Sequence, residues 1–245
     1  MRQIMIFPNA AALAEDAARQ IVELARQSIR ERGRFTFVLS GGSTPKTLFS
    51  MLAAEPYRSQ IDWGKIEFFW GDERSVPPDH PDSNYRMANE AMLSKVPVPA
   101  GHIHRMRGEL EPGEAAQEYA RELLAFSSGK PLHFDCILLG LGPDAHTASL
   151  FPASEALKVK EATVVANWVE KFQTWRITMT APLINQARCV MFLAAGDEKA
   201  APLHEVLQGT RQPEVYPAQL IAPQGDLLWE VDVAAGRLLA PPGVN

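Results

Sequence analysis

Asp135-Cys-Ile-Leu-Leu-Gly-Leu-Gly-Pro-Asp144-Ala-His146-Thr-Ala-Ser-Leu-Phe-Pro152 is the stretch on which the fold turns. Cys136 to Leu139 is a run of consecutive apolar residues, as a strand buried on both faces requires. Gly140, Gly142 and Pro143 then end the strand and turn the backbone. Directly after the turn stand a carboxylate and an imidazole, Asp144 and His146. In an open α/β sheet, ligands bind outside the carboxyl ends of the strands, which makes this pair a candidate for catalysis. A turn that His146 merely caps or packs would look the same, so the rest of the chain has to decide.

Outward from this stretch, strand patterns alternate with helical ones. Ala10 to Arg32 repeats its apolar residues at helical spacing, with Gly33 as the stop. Phe35 to Leu39 reads as a short strand. Ser40-Gly-Gly-Ser-Thr-Pro45 follows, then a helix over Lys46 to Ala54, with Thr44 as N-cap and Pro45 in the first position. Ile66 to Trp70 is a second strand, ending in Gly71-Asp72-Glu73-Arg74 and a Pro-rich loop. Helices are expected from Asn84 to Leu93, capped by Asp82 or Ser83, and from Glu114 to Phe126. Further strands are expected at Val164 to Ala166, Trp175 to Thr180, Cys189 to Leu193 and Leu227 to Val231. Pro182 to Ala187 reads as a helical turn, Gly196-Asp197 as the opening of a helix to Leu207, and Ala218 to Ile221 as a short helix. This alternation predicts one α/β domain with an open, largely parallel sheet and helices on both faces. A small subregion is expected around residues 155–180.

Composition narrows the partners. The chain has 245 residues, 46% apolar and 22% charged, with a formal net charge of −5. Length is ample for a deep core, and the charge disfavours nucleic acid and anionic membrane. An anionic small molecule is still compatible, because a phosphate pocket needs only local cations and aimed N–H groups. Cys136 and Cys189 lie in apolar strand-like runs and read as buried thiols of a reducing compartment. The start, Met1 to Pro8, has too short an apolar run for a signal peptide, and no stretch has the length to span a bilayer. A cytoplasmic location is expected.

Ser40-Gly-Gly-Ser-Thr-Pro45 carries the clearest ligand signal after the opening stretch. Gly41 and Gly42 let the backbone approach an anion, the following helix offers free N–H groups, and Ser43 and Thr44 add hydroxyls. The pattern is not a Walker loop, which disfavours a nucleoside triphosphate. Gly140-Leu-Gly-Pro-Asp-Ala145 resembles a dinucleotide fingerprint only superficially, since Pro152 cuts any following helix to about two turns. Arg176 and Lys199 are candidate cations. A lysine in a helix's first turn opposes the helix dipole, and a bound anion would account for it. Asp72-Glu73-Arg74 sits where another strand ends, which lets at least one member face the same crevice; a charged triplet in a loop is otherwise solvent-facing. His80, His102 and His104 lack the closing ligands of a metal site, and no metal is expected.

These segments together resemble the 6-phosphogluconolactonase family, within the superfamily that includes glucosamine-6-phosphate deaminase. The resemblance rests on Leu39 to Pro45, Trp70 to Pro77 with Asp82-Ser-Asn-Tyr85, Leu141 to Pro152, Arg176-Ile-Thr-Met-Thr, and Gly196 with Lys199. They span most of the chain in the family's order. One residue departs from the pattern: the family reads Asp-Gly-His where this chain has Asp144-Ala145-His146. Ala145 implies either a permissive backbone angle or a shifted loop. In the deaminases the motif continues to a glutamate that works with the histidine in ring opening; Phe151 occupies that position here.

The resemblance implies a Rossmann-like fold of the sugar-phosphate isomerase/deaminase type. It also implies hydrolysis of 6-phospho-D-glucono-1,5-lactone to 6-phosphogluconate, the second step of the oxidative pentose phosphate pathway. His146 would act as general base with Asp144 supporting it. Gly41, Gly42, Ser43, Thr44, Asp72, Arg74, Arg176 and Lys199 would bind the substrate. No cofactor is implied, since a lactone is already an activated ester. The expected partner is a small sugar phosphate, with the chain acting as a monomer or homodimer. The rival readings are a deaminase or isomerase of amino-sugar phosphates, and a non-catalytic sugar-phosphate sensor.

Overall fold

The structure, a computed structural model, describes residues 2–240. Strand β1 (Arg2–Phe7) opens the chain and leads into helix α1 (Ala10–Arg32). Asn9 caps α1, its side chain accepting from the amides of Ala11 and Ala12 at 3.0 Å. Gly33 ends the helix in the left-handed conformation, φ 79°, where a side chain would be strained. Next come β2 (Phe35–Leu39), α2 (Ser43–Leu52), β3 (Ile66–Trp70), β4 (Asp72–Arg74), α3 (Asn84–Ala91), β5 (Ile103–His104) and α4 (Pro112–Phe126). The second half holds β6 (Cys136–Gly140), β7 (Val164–Val169), β8 (Thr174–Met179), α5 (Ala181–Ile184), β9 (Cys189–Ala194), α6 (Ala200–Leu207), β10 (Asp226–Asp232) and α7 (Val233–Gly236).

Seven strands form one sheet in the order β1-β10-β9-β6-β2-β3-β5, and every pairing in it is parallel. The central strands are apolar because both faces are covered: β2 and β9 are buried along their whole length. On one face Leu13 and Ile21 of α1, Leu48 of α2 and Ala88 of α3 pack on Phe37, Leu138 and Met191. On the other, Ala115 and Tyr119 of α4 and Leu203 of α6 pack on Ile137, Leu139 and Phe192. Phe192 and Trp229 stack there at 3.9 Å between ring centroids. The expected α/β layering is therefore present. Cys136 and Cys189 are buried free thiols on neighbouring strands.

The structure adds to the sequence expectations and departs from them in several places. The strands around residues 164–180 do not join the parallel sheet; they form a separate antiparallel sheet, β4-β8-β7. Its apolar side chains, among them Val164, Ile177 and Met179, share the core beneath α4. Gly71 makes the corner between the sheets, donating to Leu39 O at 3.0 Å and accepting from the Met179 amide at 2.8 Å. Strand β1 was not anticipated, since its edge position leaves Ile4 and Ile6 exposed and removes the buried-strand pattern. Helix α2 starts at Ser43 with Gly42 in the cap position at φ 108°, so Thr44 does not cap it. After Ala145, where Pro152 leaves no room for a full helix, Thr147 and Leu150 pair in a tight bridge. The helices expected after Gly196 and at Ala218 begin as or reduce to single 3₁₀ turns, Asp197–Lys199 and Pro217–Leu220.

The topology also fixes where a crevice opens. From β2 the chain proceeds to β3 and β5 on one side, and from β6 to β9 and β10 on the other. The junction of β2 and β6 is thus the point where strand order reverses, and a crevice opens at the carboxyl ends of the strands there.

Candidate active site

Three loops leave the adjacent strands β2, β6 and β9 at that crevice. They carry Ser40–Thr44, Leu141–His146 and Gly196–Lys199. A cleft of about 280 Å³ is lined by Gly41, Gly42, Ser43, Thr44, Asp72, Arg74, His146, Arg176 and Lys199. All the expected substrate-binding residues and His146 therefore meet in one place. Asp144 lies behind His146 and lines the neighbouring cavity.

The β6 turn is closed by two hydrogen bonds, Gly142 N to His146 O at 2.8 Å and Ala145 N to Gly142 O at 3.0 Å. The imidazole folds back over Gly142, where a Cβ would collide with the ring. His146 Nδ1 lies 2.5 Å from Asp144 Oδ1, and Lys171 Nζ donates to Asp144 Oδ2 at 2.9 Å. Burial works against the Asp144 anion, but the bonds from His146 and Lys171 outweigh it and hold the carboxyl well below the usual range. An ionised Asp144 only accepts, so Nδ1 carries a proton and Nε2 is left as the basic nitrogen. Phe151 stacks on the imidazole at 4.1 Å between centroids and restricts its rotation.

Ala145 answers the question its position raised. Its φ is +59° and its side chain is fully buried. The loop keeps the conformation that a glycine would favour, and alanine adopts it at a cost of about 1 kcal/mol or more. Ala148 and Ala153 also have positive φ, at 48° and 58°. Strain is concentrated in the segment that presents the imidazole.

The opposite wall is cationic. Arg74 and Arg176 are direct partners in the β4–β8 ladder. The Nε atoms of both are buried without a hydrogen-bond acceptor among the described residues. Burial, then the Arg74 charge, lowers the Arg176 pKa from its ordinary value. Arg74 Nη1 donates to Asp82 O at 2.6 Å, which fixes its direction. Lys199, mostly buried, has only Glu198 within ion-pair reach among the described residues, at 3.5 Å. The first amides of α2 have no side-chain cap among the described residues. Buried donors without acceptors, uncapped amides and converging cations are together chemically suited to receive an anion.

The charged triplet after β3 divides its tasks. Glu73 is buried and accepts from the amides of Arg74, Asn84 and Tyr85 at 2.7–2.8 Å and from Ser83 Oγ at 3.1 Å. It caps α3 and does not face the cleft. Burial raises its pKa, against the lowering effect of those amides. Asp72 lines the cleft, but its carboxylate is already held by Ser149 Oγ at 2.6 Å and Asn84 Nδ2 at 3.3 Å. Asn84, which also abuts Gly41, was missed as a site residue, although Asp82-Ser-Asn-Tyr85 was part of the recognised pattern. Phe172 and Lys171 were missed too; they arrive from the β7–β8 turn, and nothing local in the sequence marks that approach. His102 and His104 line no part of the cleft. His104 bridges Glu122 at 2.8 Å and Glu67 at 3.0 Å instead.

Comparison with known proteins identifies the family. A family model described as glucosamine-6-phosphate isomerases/6-phosphogluconolactonase matches residues 8–229. A 6-phosphogluconolactonase of Synechocystis sp. is 44% identical over 243 residues, covering 98% of this chain and 99% of that protein. One of Haemophilus influenzae is 43% identical over 202 residues, covering 82% and 86%. The solved 6-phosphogluconolactonase of Trypanosoma brucei superposes with a TM-score of 0.86 at 29% identity, covering 98% and 99%. A monomeric glucosamine-6-phosphate deaminase shares the fold at a TM-score of 0.81 and 17% identity. With a match across most of its length and close relatives along nearly all of it, the chain belongs to the glucosamine-6-phosphate isomerase/6-phosphogluconolactonase family.

Proposed function

We propose that the chain hydrolyses 6-phospho-D-glucono-1,5-lactone to 6-phosphogluconate. The observation that carries this reading is the placement of a basic imidazole nitrogen, set by Asp144, in the same cleft as an anion receptor of Arg74, Arg176, Lys199 and the α2 amides. The receptor grips the phosphate, and this remote binding energy places the lactone carbonyl beside His146. His146 Nε2 takes a proton from water while the water oxygen bonds to the carbonyl carbon. The tetrahedral intermediate then breaks its bond to the ring oxygen, which receives the proton back from Nε2. The open-chain acid loses its own proton to solvent.

Phe151 favours the lactonase over the deaminase reading. Sugar ring opening asks for a second carboxyl near the histidine, and the imidazole face is covered by an aromatic ring instead. Among the described residues Asp144 is the only carboxylate bonded to His146. The substrate class is thus a small phosphorylated sugar lactone. Among the described residues no helix is long and apolar enough to cross a membrane.

The test is a coupled assay in which freshly made phosphogluconolactone is supplied and 6-phosphogluconate is measured against the spontaneous rate. Formation no faster than that rate would reject the reading. Ammonia release from glucosamine 6-phosphate would replace it with the deaminase, and binding without turnover with a sensor.

A further inference from the structure

The tip of the β7–β8 hairpin touches the catalytic turn twice. Lys171 Nζ donates to Asp144 Oδ2 at 2.9 Å, leaving Oδ1 for His146 Nδ1. Phe172 packs edge-on against Phe151 at 5.8 Å, and Phe151 in turn stacks on the His146 ring. The tip is itself braced. Glu170 accepts from Trp168 Nε1 at 2.7 Å, and Gln173 donates to Glu170 O at 2.9 Å and Oε1 at 2.7 Å. Gln173 closes the turn at φ 49°.

Asp144 alone does not define its own direction. It sits two residues from His146, on a loop with strained alanines, and a carboxylate has two equivalent oxygens free to rotate. A second donor on the far oxygen removes that freedom. We propose that Lys171 is a positioning residue for the hydrolytic reaction, anchoring Asp144 so that its near oxygen holds His146 in the productive tautomer and orientation. This inference rests on the lactonase reading above. On this view the hairpin supplies both halves of the site: Arg176 on β8 grips the anion, and Lys171 at the tip orients the base.

Lys171 is half exposed, beside a cavity of about 630 Å³ that Asp144, Glu155 and Glu170 also line. Solvent screening therefore limits the effect, and Lys171→Met is expected to lower kcat by about 3- to 10-fold, with KM within about twofold of wild type. Lys171→Arg, which keeps a donor and a charge, restores most of the loss. Among the described residues the groups bonded to Asp144 are His146 on its own turn and Lys171 on the hairpin; of the carboxylates lining the cavity, Glu170 is occupied by Trp168 and Gln173 and Glu155 by Lys158. Removing the Lys171 cation makes a proton on the Asp144–His146 pair easier to retain, so the acid limb of kcat moves to higher pH in Lys171→Met.

The experiment measures kcat and KM across pH for wild type, Lys171→Met and Lys171→Arg, together with the pH titration of the Asp144 side-chain carboxyl ¹³C signal. A higher Asp144 midpoint in Lys171→Met, with the kcat loss and its rescue by arginine, supports the anchor. An unchanged kcat and acid limb would overturn it, as would a loss confined to KM, which would make Lys171 a substrate contact. Wild-type protein inactive on the lactone would sink the functional reading alone, because the Asp144 titration still tests whether Lys171 holds that carboxylate.

Discussion

Arg74 and Arg176 stand opposite each other across the β4–β8 ladder, each with a buried Nε that has no acceptor among the described residues. Like charges directly opposite in a sheet destabilise it, and unpaired buried donors add to that cost. The arrangement makes sense if an anion completes it. Inorganic phosphate or 6-phosphogluconate is therefore expected to raise the thermal midpoint of the free protein, through binding to the folded state alone. Arg176→Ala should weaken that shift and raise KM about 10- to 100-fold, as loss of a charged hydrogen bond of roughly 1.5–3 kcal/mol predicts. Without ligand, the same variant should be no less stable than wild type. A ligand-independent loss of stability with unchanged KM would contradict the receptor. Lys199→Ala should likewise act mainly on KM.

His146→Ala is expected to lower kcat at least about 100-fold, the usual scale for removing a positioned general base, while ligand binding is largely kept. Calorimetric titration with 6-phosphogluconate beside the coupled assay separates the two effects. Wild-type turnover would remove the imidazole from the mechanism.

Ala145 offers a test of loop strain. Ala145→Gly relieves the positive φ, but loses a buried methyl and adds freedom to the unfolded chain, so the net change should lie within about 1 kcal/mol. Ala145→Val puts a β-branched side chain at φ +59° in a filled site and should cost more than about 2 kcal/mol. Denaturant midpoints decide, and a tolerated valine would mean that the loop rearranges at little cost.

Glu230 introduces a pH dependence outside the cleft. It is fully buried on β10, with Gln20 Nε2 donating to Oε1 at 2.6 Å and Oε2 unpartnered among the described residues. Burial raises its pKa to about 7, against the lowering effect of Gln20. The folded state then holds a proton that the unfolded chain has released, so stability falls as pH rises from about 4.5 to about 7 and levels off above it. This group alone accounts for a loss of up to about 3 kcal/mol over that window. Glu230→Gln should flatten the difference in unfolding free energy between pH 5 and pH 8. An unaltered difference would show that Glu230 is not its source.

The central strands, the helices between them and the ligand-facing turns were legible because each is written locally. An unbroken apolar run such as Cys136 to Leu139 has no stable place except a covered strand, and glycines at a strand's end mark a turn. The same logic found Gly41–Thr44, Asp144, His146 and Lys199, which all follow strand ends. It failed at β1, whose edge position blurs its pattern, and although it set residues 155–180 apart it did not show that β7 and β8 pair antiparallel with β4. Alternation along a strand records which side chains are buried, and carries no record of which neighbour the strand pairs with.

By itself, then, the sequence determined the α/β class, the loops that line the cleft and the family resemblance, because propensity, burial pattern and turn chemistry act over a few residues. Only the tertiary structure decided that Arg74 faces Arg176, that Lys171 reaches Asp144 across 27 positions of sequence, and that Ala145 accepts a left-handed backbone. Those facts depend on a corner at Gly71 and a hairpin folded back over the sheet. Contacts between distant segments are set by how whole layers pack, and no short window of residues contains that information.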